Sequence, residues 1–173
     1  MVKILVILNH LQAGMGSDEN ASLPPAGKKI VIGPGKMMEP YFNNLDGQII
    51  ATLYCGDIYY KENTDEVNKK FIAMAKKLSP DVVICGPAFH YENCGEMMAG
   101  LAEAINLNSE IPAFAAMSVE NPATEKYKDK ILIVKTPKKG GIGLNQSIEN
   151  ICEMAIKLGN KENIDELKEK VCF

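Results

Sequence analysis

Apolar residues along this chain form five short runs, and polar segments with helical spacing separate them. Val2–Leu8 is apolar at every position except Lys3, which is typical of a strand buried on both faces of a sheet. The predicted strands are Val2–Leu8, Gln48–Tyr54, Asp81–Cys85, Ala113–Met117 and Lys130–Thr136. Because these strands alternate with helical segments, we expect right-handed crossovers and a parallel sheet.

Apolar residues at helical spacing predict the intervening helices. After Thr64, for example, Val67, Phe71 and Ala75 fall on one face. The predicted helices are Lys36–Phe42, shortened or distorted by Pro40, then Thr64–Leu78, Cys94–Leu107, Leu144–Leu158 and Lys161–Val171, with one helical turn at Glu125–Tyr127. The segment Asn9–Lys28, rich in turn-forming residues, is predicted to be a long loop.

This succession of elements predicts one α/β domain over residues 1–173. Five strands in a chain of this length indicate a three-layer flavodoxin-like sandwich. Its five-stranded parallel sheet is expected to have the strand order 2-1-3-4-5.

Composition and charge exclude several classes of function. The net charge is −3 and basic runs are short, which argues against binding to nucleic acid. No apolar stretch approaches the roughly 20 residues of a transmembrane helix. Met1 leads directly into a strand and not into a signal peptide, so we predict a cytoplasmic protein. The five cysteines include no Cys-x-x-Cys pair, and reduced thiols are expected.

Two of the predicted strands end in the same way. One runs into Cys55-Gly56-Asp57 and another into Cys85-Gly86-Pro87-Ala88-Phe89-His90. In an open parallel sheet, ligands bind beyond the carboxyl ends of the strands, where such loops converge. The residues expected at this edge are His10, Gly14, Gly16, Cys55, Asp57, Tyr59, Gly86, Phe89, His90, Cys94, Glu120, Asn121, Gly140, Gly141 and Gly143.

Several chemical interpretations of this edge stay open. Gly14-Met15-Gly16 resembles part of a phosphate loop but lacks the third glycine, so simple turn glycines are the alternative. Lys138-Lys139-Gly140-Gly141 either holds an anion or forms a solvated turn. Five side chains there could ligate zinc or iron, but they lack a metal-binding spacing, and no metal is predicted. They are His10, Cys55, Asp57, His90 and Cys94.

Cys55 has two interpretations of its own. As a nucleophile or redox thiol it would need a lowered pKa, which His90 or a helix amino terminus could provide. As a structural residue it would simply fill the end of a strand.

Five motifs occur in a fixed order along the chain. They are Ala13-Gly14-Met15-Gly16, Ile32-Gly33-Pro34-Gly35, Cys55-Gly56-Asp57-Ile58-Tyr59-Tyr60-Lys61-Glu62-Asn63, Gly86-Pro87-Ala88-Phe89 and Met117-Ser118-Val119-Glu120-Asn121-Pro122. In this order and spacing they resemble the selenoprotein B family of glycine, sarcosine and betaine reductases. The resemblance extends from the first strand to about Leu158.

The resemblance implies a component of a complex that cleaves glycine or an N-methylated relative reductively. In that family, protein B takes the amino acid substrate together with a pyruvoyl-containing subunit, which forms a Schiff base. A selenocysteine then passes a carboxymethyl group to a small selenoprotein. The implied partners are therefore the pyruvoyl-containing subunit, the small selenoprotein carrier and the amino acid, with a homo-oligomer left open. No cofactor is expected in this chain, since the selenocysteine and the pyruvoyl group belong to other segments or subunits.

The chain departs from the family pattern in two respects that bear on function. The family protein is longer than this chain. Its selenocysteine lies in a second half that the sequence up to Phe173 does not include. The residues His90 to Gly95 read His-Tyr-Glu-Asn-Cys-Gly where the family has Asn-Ala-Gly-Arg-Tyr-Gly, so Asn93 stands in place of an arginine. Because arginine is the usual clamp for a carboxylate, altered substrate recognition is implied.

Three hypotheses follow. In the first, the chain is a reductase component in which Cys55, Asp57 and His90 are catalytic: Asp57 or Glu120 pairs with the substrate amine, and His90 moves a proton. The residues expected to bind the substrate are His10, Gly14, Gly16, Tyr59, Gly86, Phe89, Cys94, Glu120 and Asn121. In the second, the chain is a non-catalytic module that binds a small ligand or docks onto a subunit. In the third, which rests on architecture alone, it carries a flavin or another nucleotide.

Overall fold

The computed structural model describes residues 1–16 and 18–173. Its strands are β1 (Val2–Asn9), β2 (Ala26–Lys28), β3 (Gly47–Cys55), β4 (Val82–Cys85), β5 (Ala113–Met117) and β6 (Ile133–Lys135). Its α-helices are α1 (Gly35–Asn44), α2 (Asp57–Glu62), α3 (Thr64–Leu78), α4 (Glu92–Asn108), α5 (Pro122–Tyr127), α6 (Leu144–Gly159) and α7 (Asp165–Val171), and Asp18–Ser22 forms a 3₁₀ helix.

The strands form one mixed sheet in the order β2-β3-β1-β4-β5-β6. The four strand pairings expected from sequence are parallel and in the predicted order. The prediction of a purely parallel, five-stranded sheet is wrong, because β2 adds an antiparallel edge strand against β3. This strand is only three residues long, and Gly27 and Lys28 are exposed, so its sequence shows no apolar alternation.

The sheet is covered on both faces by helices. Alternate residues of β1 belong to two separate hydrophobic cores: Leu5 and Ile7 pack with α3 and α4, whereas Ile4 and Val6 pack with α1, α6 and α7. A strand that buries both faces must be apolar throughout, which explains why β1 reads as a continuous run.

Other boundaries also differ from the predictions: β6, for example, covers Ile133–Lys135 and not the whole of Lys130–Thr136. Helix α2 occupies part of what was expected to be a loop after Cys55, and α5 begins at Pro122, three residues before the predicted turn. Helix α7 begins at Asp165 and not at Lys161. Helix α1 runs for 10 residues through Pro40, which lies on its exposed side. Water can therefore satisfy the backbone carbonyl that a proline leaves without a helical partner.

Within the described residues, no helix is long and apolar enough to cross a membrane.

Candidate functional site

A cavity of 680 Å³ opens at the carboxyl ends of the adjacent strands β3, β1 and β4. Its lining is Asn9, His10, Leu11, Gln12, Ala21, Pro34, Asp57, Ile58, Phe89, Tyr91, Glu92, Asn93, Cys94 and Lys139. These residues come from the loops after three parallel strands, from the starts of α2 and α4 and from a loop after β6, with Ala21 of the 3₁₀ helix and Pro34 before α1. The edge of the sheet where ligand-binding loops were predicted to converge thus contains a cavity.

The Asp57 carboxylate lies in the wall of this cavity at the first residue of α2. Its Oδ2 accepts a hydrogen bond of 3.3 Å from Nδ2 of Asn9, the last residue of β1. Asn9 in turn is bonded to Gln12, and Nε2 of Gln12 donates to the Pro87 carbonyl. Three amide-bearing or acidic side chains therefore form a connected polar wall.

His10 lies in the same wall and is 1% exposed. Neither ring nitrogen has a hydrogen-bond partner among the described residues. Buried polar atoms are nearly always hydrogen-bonded in folded proteins. The imidazole is therefore available for a polar group that the protein itself does not provide.

The loop after β4 carries Phe89 into the cavity in an unusual backbone conformation. Gly86 has φ +116°, a left-handed value that suits glycine, and Phe89 has φ +52°. A left-handed aromatic residue persists only where its surroundings hold it in place. Here the holding group is Asn121, whose Nδ2 donates to the carbonyls of Phe89 at 3.1 Å and of Tyr91 at 3.0 Å.

Asn121 is therefore placed behind the loop and does not line the cavity. It is 1% exposed, and its Oδ1 accepts from the Ala123 amide as the N-cap of α5. A Cβ on Gly95 would come within 2.3 Å of the Asn121 amide, so only a glycine lets α4 pack this closely. The predicted substrate-binding role fits Asn121 poorly, because its hydrogen bonds are already made to backbone groups.

His90 lies on the rim, exposed to solvent. Its Nδ1 accepts a hydrogen bond of 3.2 Å from the Lys139 backbone N–H, which links the loop after β4 to the loop after β6. The ring stacks on Tyr91 with a centroid separation of 4.4 Å, and the Lys139 Nζ lies 5.9 Å from the Tyr91 centroid. With Nδ1 acting as acceptor, Nε2 is the ring atom left to exchange a proton with a ligand.

The thiols are less suited to chemistry than the sequence indicated. Cys55 and Cys94, expected at accessible loop or helix starts, are buried like the other three cysteines. Burial raises the pKa of the Cys55 thiol to about 12, and the Asp57 carboxylate adds to this. The Cys55 Sγ also donates to the Gly56 carbonyl at 3.3 Å. Because a nucleophilic cysteine needs a lowered pKa, this environment favours the structural interpretation of Cys55.

These thiols predict a stability that declines in alkali. Burial also raises the pKa of Cys152 to about 12 and that of Cys172 to about 11. Unfolded thiols release their protons near the ordinary value of 9.0 while the folded ones still hold theirs. The free energy of unfolding should therefore fall as the pH rises from about 9 towards 12. Urea denaturation over this range checks the slope, and C55S and C152S should each make it shallower.

The remaining predicted residues lie outside the cavity lining. Gly14 and Gly16 have left-handed φ values of +74° and +98°, as the turn interpretation requires. Tyr59 lies on α2, where its hydroxyl donates to Glu66 at 3.3 Å. Glu120 is exposed on the loop after β5, and a hydrogen bond from its own backbone N–H lowers the pKa of its carboxyl.

Sequence reasoning missed several lining residues, above all Asn9 and Gln12. Histidines, cysteines and acids have recognisable chemistry in a sequence, whereas amides at a strand end do not stand out. Tyr91 and Glu92 were also not predicted to contact a ligand, and for Lys139 anion binding was one of two interpretations. In addition, residues 57, 92 and 93 also border a smaller cavity of 430 Å³ beside α2 and α4. Among the described residues, no group of three or more potential ligands could hold a metal ion.

Comparison with known protein families assigns the chain. The family model for the glycine/sarcosine/betaine reductase selenoprotein B matches residues 1–173. The chain belongs to this family.

Individual relatives of this chain are named as component B subunits of glycine or sarcosine reductase complexes. The glycine reductase complex component B subunit gamma of Carboxydothermus hydrogenoformans is 34% identical over 166 residues, which is 95% of this chain and 38% of the relative. The sarcosine reductase complex component B subunit beta of Peptoclostridium acidaminophilum is 30% identical over 161 residues, or 93% of this chain and 36% of the relative. A glycine reductase subunit gamma from Peptoclostridium litorale is 27% identical over 169 residues, 94% of this chain and 37% of the relative.

This selenoprotein B domain spans less than two fifths of the length of these relatives. No solved structure matches it significantly.

Proposed function

We propose that this domain binds the amino acid substrate of a glycine, sarcosine or betaine reductase complex in the 680 Å³ cavity. The observation that carries the proposal is that two oppositely charged side chains line the same cavity: Asp57 at the start of α2 and Lys139 on the loop after β6. A small amino acid is a zwitterion, so its ammonium group suits the carboxylate and its carboxylate suits the lysine. Family membership supports this ligand class over other zwitterions.

Four further side chains complete the proposed site. The unpartnered imidazole of His10 would hydrogen-bond the substrate carboxylate. Phe89 and Tyr91 provide aromatic surface beside Asp57. His90, through Nε2, would exchange a proton at the rim. Cys55 is not part of the proposed chemistry, since its thiol is buried and its pKa is raised.

The reductive step would require groups from outside this domain. We propose that the selenocysteine and the pyruvoyl group come from other segments or subunits, including a pyruvoyl-containing subunit and a small selenoprotein. Exposed apolar side chains on four loops around the cavity support docking of such partners. They are Leu11, Tyr91, Val119 and Ile142, the last of them fully exposed. The cytoplasmic location and the flavodoxin-like comparison stay predictions.

Replacing Asp57 with Asn tests the binding proposal. The change keeps the shape of the side chain but removes the charge that faces the ammonium group. We expect D57N to weaken binding of sarcosine or glycine about tenfold or more in isothermal titration calorimetry, as for loss of a charged hydrogen bond. Acetate, which lacks the amine, should lose no affinity. If wild type and D57N bound glycine and sarcosine with equal affinity, the proposal would be contradicted.

The alternative of a non-catalytic module is favoured by one observation: all five thiols are buried. In that case an amino acid would raise the apparent stability of the domain, because it binds only the folded state. No variant of its side chains would then change the chemical step in a reconstituted reductase. The H90A variant distinguishes the catalytic component from the non-catalytic module. A proton-transfer role for His90 predicts a reduced turnover with an unchanged substrate affinity, whereas a non-catalytic module predicts an unchanged turnover.

A further inference from the structure

The last residue of β1, Asn9, is almost completely buried, with 5% exposure, and it makes reciprocal hydrogen bonds with Gln12. Its Oδ1 accepts from the Gln12 backbone N–H at 3.0 Å, and its own backbone N–H donates to Gln12 Oε1 at 3.4 Å. The two residues close a small ring at the point where β1 enters its loop. This ring fixes the orientation of both side-chain amides.

The orientation of the Asn9 side-chain amide decides whether a hydrogen-bond donor or an acceptor faces the Asp57 carboxylate. Because a backbone N–H occupies Oδ1, the amide nitrogen must point the other way, towards the Asp57 carboxylate at 3.3 Å. An ionised carboxylate accepts hydrogen bonds and donates none, so this is the only orientation of Asn9 that suits it. The backbone N–H of Gln12 thus turns the Asn9 Nδ2 towards the Asp57 carboxylate.

An amide orients a carboxylate without neutralising it. Within the described part of the chain, Asp57 forms no salt bridge, and the described salt bridges lie elsewhere. A lysine or an arginine in place of Asn9 would orient Asp57 equally well but would cancel its charge towards the cavity. With an asparagine, Oδ2 is held and the full negative charge stays available to a cation.

Gln12 connects this wall of the cavity to the opposite one. Its Nε2 donates to the Pro87 carbonyl on the loop that carries Phe89, and the Cys94 Sγ lies 3.9 Å from its Oε1. Its backbone carbonyl packs so closely on Gly33 that a Cβ there would lie 2.1 Å from the oxygen. Gln12 is thereby confined by the loop before α1, by α4 and by the loop after β4.

We propose that Asn9 and Gln12 are positioning residues that hold the Asp57 carboxylate in the orientation that suits the amine of the ligand. The inference rests on the proposed amino acid site. It adds that recognition of the amine depends on the Asn9 amide acting through Asp57. Gln12 fixes the orientation of the Asn9 side-chain amide. Through its hydrogen bond to the Pro87 carbonyl it also holds the loop that carries Phe89.

A double-mutant cycle tests this dependence. We expect N9L, similar in size but without an amide, to weaken sarcosine binding about tenfold in calorimetry. The change should leave acetate binding the same, because acetate has no amine. In a D57N background N9L should cause no further loss, since both changes remove the same interaction. N9S, which retains a hydroxyl donor, should recover part of the affinity.

A matched control separates positioning from loss of stability. The Asn106 side chain makes two hydrogen bonds with the backbone of Ala113, at the amino end of β5 and away from the cavity. N106L should reduce stability without changing sarcosine affinity. Equal losses for N9L in the wild-type and D57N backgrounds would show a merely structural role for Asn9 and overturn the inference.

A readout that needs no ligand separates this inference from the proposed function. The side-chain amide resonances of Asn9 should shift in the NMR spectrum of D57A, while those of Asn106 stay in place. If wild-type protein binds none of glycine, sarcosine and betaine, the proposed function fails. If the Asn9 resonances are unchanged in D57A, the positioning inference fails, whatever the ligand results are.

Discussion

Replacing Asn121 with Ala should destabilise the protein by about 2–4 kcal/mol, since two buried carbonyls and one helix N-cap lose their partner together. The carbonyls belong to Phe89 and Tyr91, and the cap belongs to α5. Urea denaturation measures the loss. Because the same bonds hold Phe89 with φ +52°, the loop should also become mobile on hydrogen exchange.

Asn121→Asp and a surface asparagine provide the comparisons. The aspartate retains the oxygen that caps α5 but directs a carboxylate at two carbonyl oxygens, so N121D should destabilise at least as much as N121A. N106A removes two backbone hydrogen bonds at a position where water can replace them, and its cost should stay below about 1 kcal/mol. If N121A were as stable as N106A, Asn121 would not be holding the loop.

Gly33→Ala should be strongly destabilising. Gly33 has φ +53°, and an added Cβ would lie 2.1 Å from the Gln12 carbonyl oxygen and 3.1 Å from its carbon. Neither the strain nor the clash with backbone can be relieved by a side-chain rotation. We expect a loss of about 3 kcal/mol or more, combining left-handed strain with overpacking.

Gly14→Ala is the matched control, because it shares the strain without the clash. Gly14 has φ +74° and nothing within 4 Å of an added Cβ. Its cost should be limited to about 1–2 kcal/mol for an L-residue in the left-handed region. If G33A and G14A cost the same in urea denaturation, the contact with Gln12 contributes nothing. G33A should also weaken sarcosine binding, since Gln12 must move.

The framework of the sheet was predictable because each parallel strand is buried on both faces. Val2–Asn9 and Ala113–Met117 can be recognised from apolar runs without any knowledge of their neighbours. Strand β2 could not be recognised in this way. Its three residues form a strand only because the edge of β3 is available for pairing, which is a property of the folded sheet.

The position of the site could also be predicted, whereas most individual roles could not. Loops after parallel strands converge in any such sheet, so Asp57, His10 and Phe89 were expected near one another and do line one cavity. Cys55 ends β3 and Asn121 follows β5 at the same edge of the sheet, yet both side chains are buried. A sequence places a residue at the end of a strand, but the direction of its side chain depends on what packs around it.

The sequence by itself determined the strand order of the parallel sheet, the edge that carries the cavity and, through its five motifs, membership in the selenoprotein B family. These features depend on local apolar patterns and on connection rules that hold for any such chain. The tertiary structure decided the burial of the thiols and the bonds that Asn9 makes with Gln12 and Asp57. The bond from Asn9 to Asp57 joins residues 48 positions apart, so it forms only once the chain has folded.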